Sequence, residues 1–189
     1  MPPLAQSIAR ASLTSGVVMA AGDAMCQKLR PAPVTASKPV PSIDLERTAR
    51  FSLIGFTLHG PYFLFAFKAM DAWGGPSTSL GTAFRKMSLG QLTFFPVYLT
   101  AFYMYMGTLE GKTPSQSFKR FLEVIGPTYA TGSIFWPIAN MFNFRYIPST
   151  HRVLYVNACG VFWNVILRCV GILDEDRQQC WVWSCQAGT

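Results

Sequence analysis

The stretch from residue 134 to residue 168 constrains the fold of this chain more than any other part of it. It is apolar enough to lie in lipid, yet Trp136, Pro137, Asn143 and Asn164 interrupt it at short intervals. A polar group in hydrocarbon costs several kcal/mol of free energy unless a hydrogen-bond partner is present. We therefore expect these side chains to face other helices, or a wet cavity, inside a bundle of membrane helices.

The composition of the chain is typical of a single small membrane domain, residues 1–189. Half of the residues are hydrophobic and only 13% are charged, which leaves too little charge to cover the surface of a soluble domain. The net charge of +7 comes from Lys and Arg residues dispersed at segment ends rather than in a basic stripe. That pattern does not predict nucleic-acid binding, and the lipid bilayer is the first expected partner.

The apolar segments predict an all-α integral membrane helical bundle with four spans, or five. The four clear segments are residues 11–29, 51–70, 87–109 and 151–173. Residues 128–144 are just long enough for a fifth span, or form a partly inserted helix. Pro61, Pro96 and Pro137 lie inside apolar segments, where each removes a backbone hydrogen bond and should bend its helix. Bent helices leave room for a cavity.

Three other segments connect or flank these spans. Residues 31–42 form a Pro-rich linker that cannot be helical. Residues 113–126 begin at a Thr113 cap, carry one apolar stripe and end at Gly126-Pro127. They predict a short amphipathic helix on the membrane surface, with the groove of a partner protein as the alternative location. Residues 174–189 form a polar and aromatic tail after the last span.

Eight polar side chains are candidates for lining the interior of the bundle or for joining its helices. They are Asp23, Gln27, Gln91, Asn140, Asn143, Asn157, Asn164 and Arg168. Asn157, Asn164 and Arg168 are spaced at seven and four residues, which places them on one helix face. An acid on a membrane helix is rare, and for Asp23 we favour a bond to a neighbouring helix, because interhelical polar contacts are the commoner use.

The first and second segments carry signals of close packing. Ser12, Gly16, Ala20 and Ala24 fall every fourth residue and form a flat face against which another helix can pack. His59 lies next to Gly60-Pro61 in the second segment. We interpret His59 as a packing residue, because a lone histidine is more often a satisfied core residue than a ligand.

The sequence contains none of the motifs that would supply catalytic chemistry. It has no P-loop, no Gly-x-Gly-x-x-Gly, no Gly-x-Ser-x-Gly and no clustered His/Cys ligand set, and its two histidines, His59 and His151, are far apart. We therefore predict that the chain is not an enzyme and that it uses no cofactor and no metal.

Short motifs recur along the chain in an order and spacing that resembles the Mpv17 / 22-kDa peroxisomal membrane protein family. The motifs are Gly22-Asp23 with Gln27, Asp44 with Arg47-Thr48 and Arg50, Gly55 with Gly60-Pro61, Met70-Asp71, Lys86-Met87 with Gln91 and Pro96, Trp136-Pro137 with Asn143-Phe144, Ile147-Pro148 with Arg152, and Trp163-Asn164. The chain departs from the family at Gly90, where relatives commonly carry Asp, and at Arg168, where they usually carry Ser.

The resemblance implies a four-span protein of the mitochondrial inner membrane, with the peroxisomal membrane as the alternative location. It also implies channel-like passage of small solutes or metabolites. A second hypothesis is a non-catalytic accessory or structural subunit of a respiratory complex or ATP synthase. The partners would be copies of the same chain or a large membrane complex. A water-wide path through the bundle would favour the channel, whereas an interior filled by Trp136, Phe144 and Trp163 would count against it.

Overall fold

The computed structural model describes residues 3–28, 43–75 and 78–171, with the side chains at 124, 127, 128, 131 and 164–171 outside the description. Within these ranges the chain is all-helical, as predicted. The helices are α1 (Leu4–Lys28), α2 (Leu45–Ile54), α3 (Gly60–Gly74), α4 (Leu80–Leu89), α5 (Phe95–Leu109), α6 (Pro114–Tyr146) and α7 (Arg152–Gly171). The predicted linker 31–42 and the predicted tail 174–189 lie outside the described residues.

Two short π-helical segments join these helices into longer rods. Gly55–His59 connects α2 to α3, and Gly90–Phe94 connects α4 to α5. α1 packs against α2, α3, α7 and the first π segment, and α6 packs against α4, α5 and α7. Five rods thus form the described bundle, since α2 continues into α3 and α4 continues into α5.

Each π segment is followed by an α-helix whose second residue is a proline. Gly60 N–H bonds to the carbonyl of Gly55, and Phe95 N–H bonds to the carbonyl of Gly90, one residue further back than in an α-helix. Pro61 and Pro96 follow directly and can make no such bond. The sequence predicts a bend at each proline; the structure shows that the local response is a widened π turn.

The rods formed by residues 45–74 and 80–109 repeat one architecture. In each rod, 10 α-helical residues are followed by five π-helical residues and then by 15 α-helical residues. Identical residues occupy equivalent positions in the two rods: Leu45 and Leu80, Arg50 and Arg85, Gly55 and Gly90, Pro61 and Pro96, Leu64 and Leu99, Ala66 and Ala101, Phe67 and Phe102. The two rods run in opposite directions, since α3 contacts α4 and α2 contacts α5.

The first π segment and the start of α3 lie in backbone contact with α1. A Cβ atom added at Gly55 would lie 2.6 Å from the carbonyl oxygen of Ser15, and one added at Gly60 would lie 2.5 Å from that of Ala11. On the α1 side, Ser12 and Gly16 are buried as predicted, and Ala20 and Ala24 are half-buried. Small residues on both partners therefore set the distance between the two helices.

Replacing Gly55 with alanine is expected to lower the thermal stability of the protein, because the new methyl group would meet backbone atoms that cannot rotate away. Overpacking of this kind costs typically about 1–3 kcal/mol. Gly81→Ala is the matched control, since its Cβ would meet nothing within 4 Å; alanine there should stabilise α4 by about 0.5–1 kcal/mol. Thermal unfolding of both variants in detergent measures the difference, and equal midpoints would contradict the close approach.

Helix α6 is longer than the helix predicted for residues 113–126. It begins as predicted, with Thr113 as cap and Gln116 completing a capping box. Its predicted end at Gly126-Pro127 is wrong, because the helix continues through Pro127 and Pro137 to Tyr146. The predicted segments 113–126 and 128–144 are therefore one helix, since prolines inside membrane helices are tolerated where neighbouring groups satisfy the freed backbone carbonyls. The location of residues 113–126 on a membrane surface stays a prediction.

Among the described helices, the rod Leu80–Leu109 is long and apolar enough by itself to cross a membrane. The other rods carry a weaker apolar signal, so a count of four or five spans stays a prediction. Large apolar side chains are nevertheless exposed on the outside of several helices, with Ile134 at 72% and Leu92 at 71% exposure. An outer surface of this kind is suited to contact with lipid.

Candidate functional site: a cavity inside the bundle

A central cavity of about 60 Å³ lies between helices α1, α3, α4, α5, α6 and α7 and the two π segments. One water molecule needs roughly 10–15 Å³ of such space, so the cavity has room for a few waters. Aromatic rings make up much of its wall, including those of Phe63, Phe94, Phe95 and Tyr98. The equivalent positions 63 and 98 of the two repeated rods thus both reach the central cavity.

Four of the eight polar residues singled out in the sequence line the central cavity. They are Asp23 on α1, Gln91 in the second π segment, Asn140 on α6 and Asn157 on α7. These residues are far apart in the sequence, and only the packing of the rods brings them together.

The other four candidates lie elsewhere. Gln27 joins α1 to the start of α2, and Asn143 is fully buried in α6, outside the cavity lining. The side chains of Asn164 and Arg168 are outside the described residues, although their backbone belongs to α7. Half of the eight predicted polar residues therefore line the cavity.

Two buried pairs of polar side chains lie in the wall of the central cavity. Tyr98 Oη and His59 Nδ1 lie 2.7 Å apart, and Asn157 Nδ2 donates to Ser15 Oγ over 3.0 Å. All four side chains are buried. The first pair links α5 to the first π segment, and the second links α7 to α1. His59 is thus a packed core residue, as predicted, but a polar one. The sequence analysis did not identify Ser15 and Tyr98.

The Asp23 cluster, formed by Asp23, Gln27, Asp44, Arg47 and Thr48, joins the end of α1 to the start of α2, and Asp23 itself lines the cavity. Arg47 Nη2 lies 2.7 Å from Asp23 Oδ1, while Gln27 Nε2 and Thr48 Oγ1 donate to Asp23 Oδ2 over 2.6 and 2.7 Å. Gln27 also accepts a bond from the backbone N–H of Asp44. The carboxylate, whose side chain is 1% exposed, is therefore ion-paired and ties α1 to α2.

The Asp71 cluster, formed by Asp71, Lys86, Phe144 and Arg152, lies towards the opposite end of the bundle. Lys86 Nζ and Arg152 Nη1 donate to the two Asp71 oxygens over 2.8 and 2.6 Å, and both cations lie over the Phe144 ring. Lys86 Nζ also donates to the carbonyl of Gly75 over 2.6 Å. The sequence analysis identified these residues as separate motifs and did not pair them.

The two cations of the Asp71 cluster affect the pKa of the Asp71 carboxyl. Burial by itself raises the pKa of the Asp71 carboxyl, but the hydrogen bonds and positive charges of Arg152 and Lys86 outweigh burial, so that its pKa lies below the usual value. Asp71 therefore stays ionised at neutral pH. Two buried cations share one carboxylate, which makes this acid essential to the local charge balance.

Buried polar atoms without a hydrogen-bond partner are found on α6 and α7. Within the described residues they include Trp136 Nε1, Trp163 Nε1 and both amide atoms of Asn143. Trp136 and Asn140 lie on the face of α6 that lines the cavity, and Asn143 lies one turn further along the helix. The inner face of α6 is therefore both aromatic and polar.

The remaining motif residues mostly hold the bundle together. Gly22 lines the cavity, Arg50 pairs with the exposed Glu46, and Pro148 precedes the short 3-10 turn Ser149–His151 before α7. Trp163 is buried and stacks on Phe135 with ring centroids 4.7 Å apart. In the structure these residues pack against or pair with their neighbours.

An all-helical bundle with large apolar side chains exposed on its outside and paired polar side chains buried inside has the arrangement of a helical membrane protein. The chain belongs to the Mpv17 / PMP22 family. The sequence model of that family matches residues 107–168. PXMP2/4 family protein 4 of Dictyostelium discoideum is 31% identical over 160 residues, which cover 85% of this chain and 84% of the relative.

The names of two further relatives say in which membrane each protein is found. The mitochondrial inner membrane protein Mpv17 of Danio rerio is 29% identical over 157 residues, 82% of this chain and 84% of the relative. Peroxisomal membrane protein 2 of Bos taurus is 26% identical over 158 residues, 84% of this chain and 80% of the relative. No solved structure matches the chain significantly.

Proposed function

We propose that this chain is an integral protein of the mitochondrial inner membrane that lets small solutes pass through the interior of its helical bundle. The location rests on the name of the Danio rerio relative. The name of the Bos taurus relative supports the peroxisomal membrane as the alternative location. Passage would be passive diffusion without catalysis, because the sequence offers no motif for energy coupling.

The placement of charge supports a bundle that spans the bilayer. The Asp23 cluster and the Asp71 cluster lie towards opposite ends of the rod that runs from residue 45 to residue 74. At about 1.5 Å per residue, Arg47 and Asp71 are roughly 35 Å apart along this rod. The hydrocarbon core of a bilayer is about 30 Å thick, so the two clusters are suited to its two boundaries. Four or five rods would then cross the membrane.

The convergence of Asp23, Gln91, Asn140 and Asn157 on one cavity is the observation that carries the proposal. Polar side chains in a membrane bundle are costly, and those that face a cavity commonly mark the path of a solute. Four such residues are contributed by four separate elements. Asp23, Gln91 and Asn157 are bonded to neighbouring side chains in this conformation, so a passing solute would have to take over part of these bonds.

The structure corresponds to a closed conformation under this proposal. Trp136, Phe144 and Trp163 are buried in the interior, which is the arrangement expected to count against an open path. A cavity of about 60 Å³ is also small for a metabolite. Passage therefore requires the aromatic side chains around the cavity to move apart.

The same aromatic filling favours a second function, that of a non-catalytic accessory subunit of a large inner-membrane complex. In that case the polar residues join helices, as the Asp23 cluster does, and the bundle has no transport role. The partners would be the subunits of a respiratory complex or of ATP synthase. A homo-oligomer in the bilayer is the assembly expected for the channel.

Flux through reconstituted protein distinguishes the two functions. Purified full-length protein in liposomes is expected to accelerate the entry of glycerol, followed by light scattering after osmotic shock, relative to protein-free liposomes. Extraction of the native protein in mild detergent, with gel sizing and mass spectrometry, provides the second measurement. Absence of flux together with comigration at fixed stoichiometry with a respiratory complex or ATP synthase would establish the accessory function instead.

A further inference from the structure

We propose that a groove on the outside of the bundle, between α3 and α5, binds one anionic phospholipid from the leaflet at the Asp71 end. An acyl chain lies in this outer groove, and the negatively charged headgroup lies beside Arg85. The lipid site goes beyond the proposed function. It depends on the placement of the bundle in a bilayer and not on the passage of solutes through the interior.

The outer groove has a volume of about 460 Å³, which is within the range of ligand pockets. Ala66 and Ala69 form part of its wall on α3, and Val97 forms part of its wall on α5. The hydroxyl of Tyr62 lies in the same groove and already donates to the carbonyl of Phe94 over 2.6 Å. A small-residue wall with a satisfied hydroxyl is suited to a hydrocarbon chain.

The length of the outer groove matches one leaflet of a bilayer. The face of α3 that carries Tyr62 and Ala69 continues to Trp73, which is exposed in the last turn of the helix. At about 1.5 Å per residue, Tyr62 and Trp73 are roughly 16 Å apart along α3. This is about half of the 30 Å hydrocarbon core, and tryptophan is enriched at the boundary of that core. The groove therefore extends from the boundary towards the middle of the bilayer.

The charges at the Asp71 end favour an anionic headgroup. Lys68, Arg85 and Arg145 lie near this end and have no acidic partner within the described residues. The acid at this end in the described part of the chain is Asp71, which its own cluster already pairs. The other described acids belong to elements of the opposite end and are Asp23, Asp44, Glu46, Glu110 and Glu123. A lysine or arginine near an anionic lipid surface contributes about 1 kcal/mol to binding.

Arg85 is the cation that continues the wall of the outer groove to the boundary. Arg85, Leu89 and Thr93 are spaced at four residues, and Thr93 Oγ1 donates to the carbonyl of Leu89 and lines the groove. Arg85 Nη2 lies 3.5 Å from Thr82 Oγ1, so the guanidinium is turned towards the first turn of α4. Its exposed N–H groups suit a phosphate, which arginine binds through two parallel hydrogen bonds.

Native mass spectrometry of the full-length protein in detergent measures the lipid preference. The protein is incubated with equal amounts of dioleoylphosphatidylglycerol and dioleoylphosphatidylcholine, which have the same acyl chains but differ in headgroup charge. We expect one phosphatidylglycerol per chain to be retained, with a preference of at least about tenfold, equivalent to roughly 1.4 kcal/mol. Equal retention of the two lipids would overturn the proposal. Displacement of the lipid by inorganic phosphate, which has no acyl chain, would also overturn it.

Two variants test the acyl-chain part and the headgroup part separately. Ala69→Phe fills the outer groove and should lower lipid retention, whereas Ala158→Phe, at an exposed position of α7, is the control. Arg85→Gln should reduce the preference for phosphatidylglycerol about fivefold, equivalent to roughly 1 kcal/mol. Lys119→Gln is its control, because Lys119 is exposed near the opposite end.

Unchanged retention in Ala69→Phe and unchanged preference in Arg85→Gln, with both variants monodisperse on a sizing column, would overturn the lipid site. The absence of solute flux in liposomes would contradict the proposed passage of solutes and leave the lipid site standing. The two failures are therefore distinguishable.

Discussion

Replacing Asp23 with leucine is expected to lower the free energy of unfolding by about 3–5 kcal/mol, because it removes one partner of a buried ion pair. The substitution leaves Arg47 without the carboxylate that it contacts at 2.7 Å, and it removes the acceptor for Gln27 and Thr48. For a chain of this size, about 2–4 °C of the unfolding midpoint corresponds to 1 kcal/mol, so a decrease of roughly 6–20 °C should follow. Thermal unfolding in detergent, monitored by circular dichroism, measures it.

Two further variants test whether the decrease reflects the buried pair. Glu46→Gln removes the acid of an exposed pair with Arg50 on the same helix and should change stability by less than about 0.5 kcal/mol. The double variant Asp23→Leu with Arg47→Leu should recover part of the loss, because replacing a buried pair by apolar residues is often neutral. If Asp23→Leu were no more destabilising than Glu46→Gln, the Asp23 cluster would not be holding α1 to α2.

The sequence was sufficient to predict the helical fold and several local features of it. Apolar segments free of charge predict helices, and the Thr113-Pro114 start of α6 is encoded within four residues. The interhelical role of Asp23 was also expected, because an acid in an apolar segment needs a partner. These predictions depend on local chemistry, which is visible in one sequence.

The π segments and the course of α6 could not be predicted in the same way. Pro61 and Pro127 both forbid an ordinary helical bond, yet the first is preceded by a π turn and the second lies within a continuous helix. A single sequence does not show which groups take up the backbone carbonyl freed by a proline, so the local response to each proline could not be predicted. The repeat of the two rods was nevertheless present in the sequence, since Arg, Gly, Pro, Leu, Ala and Phe recur at the same spacing.

The composition of the central cavity depends on contacts between distant parts of the chain. The sequence identified Gln91, Asn140 and Asn157 as polar interruptions of apolar segments, but it could not show that the three side chains reach one cavity. Tyr98 was missed because a tyrosine in an apolar segment resembles any other aromatic packing residue. The position of Tyr98 in the repeat, equivalent to the cavity residue Phe63, is the signal that could have indicated it.

Replacing Asp71 with asparagine is expected to destabilise the protein by about 3–5 kcal/mol, because the side chains of Lys86 and Arg152, only 2% and 6% exposed, would lose their shared counter-charge. The two cations would then repel each other beside the Phe144 ring. Glu110→Gln is the matched control. It removes the acid of the more exposed pair with Lys112 and should cost less than about 0.5 kcal/mol.

The pH dependence of stability gives a second measurement of the Asp71 cluster. Because the pKa of Asp71 is lower in the folded than in the unfolded state, its contribution is fully present above the unfolded pKa, about 4, and is lost as the pH falls through the folded value. The wild-type unfolding midpoint should therefore decrease towards the Asp71→Asn midpoint below about pH 4. A constant difference between wild type and Asp71→Asn from pH 7 down to the acid limit of folding would show that Asp71 does not hold the two cations as an ionised acid.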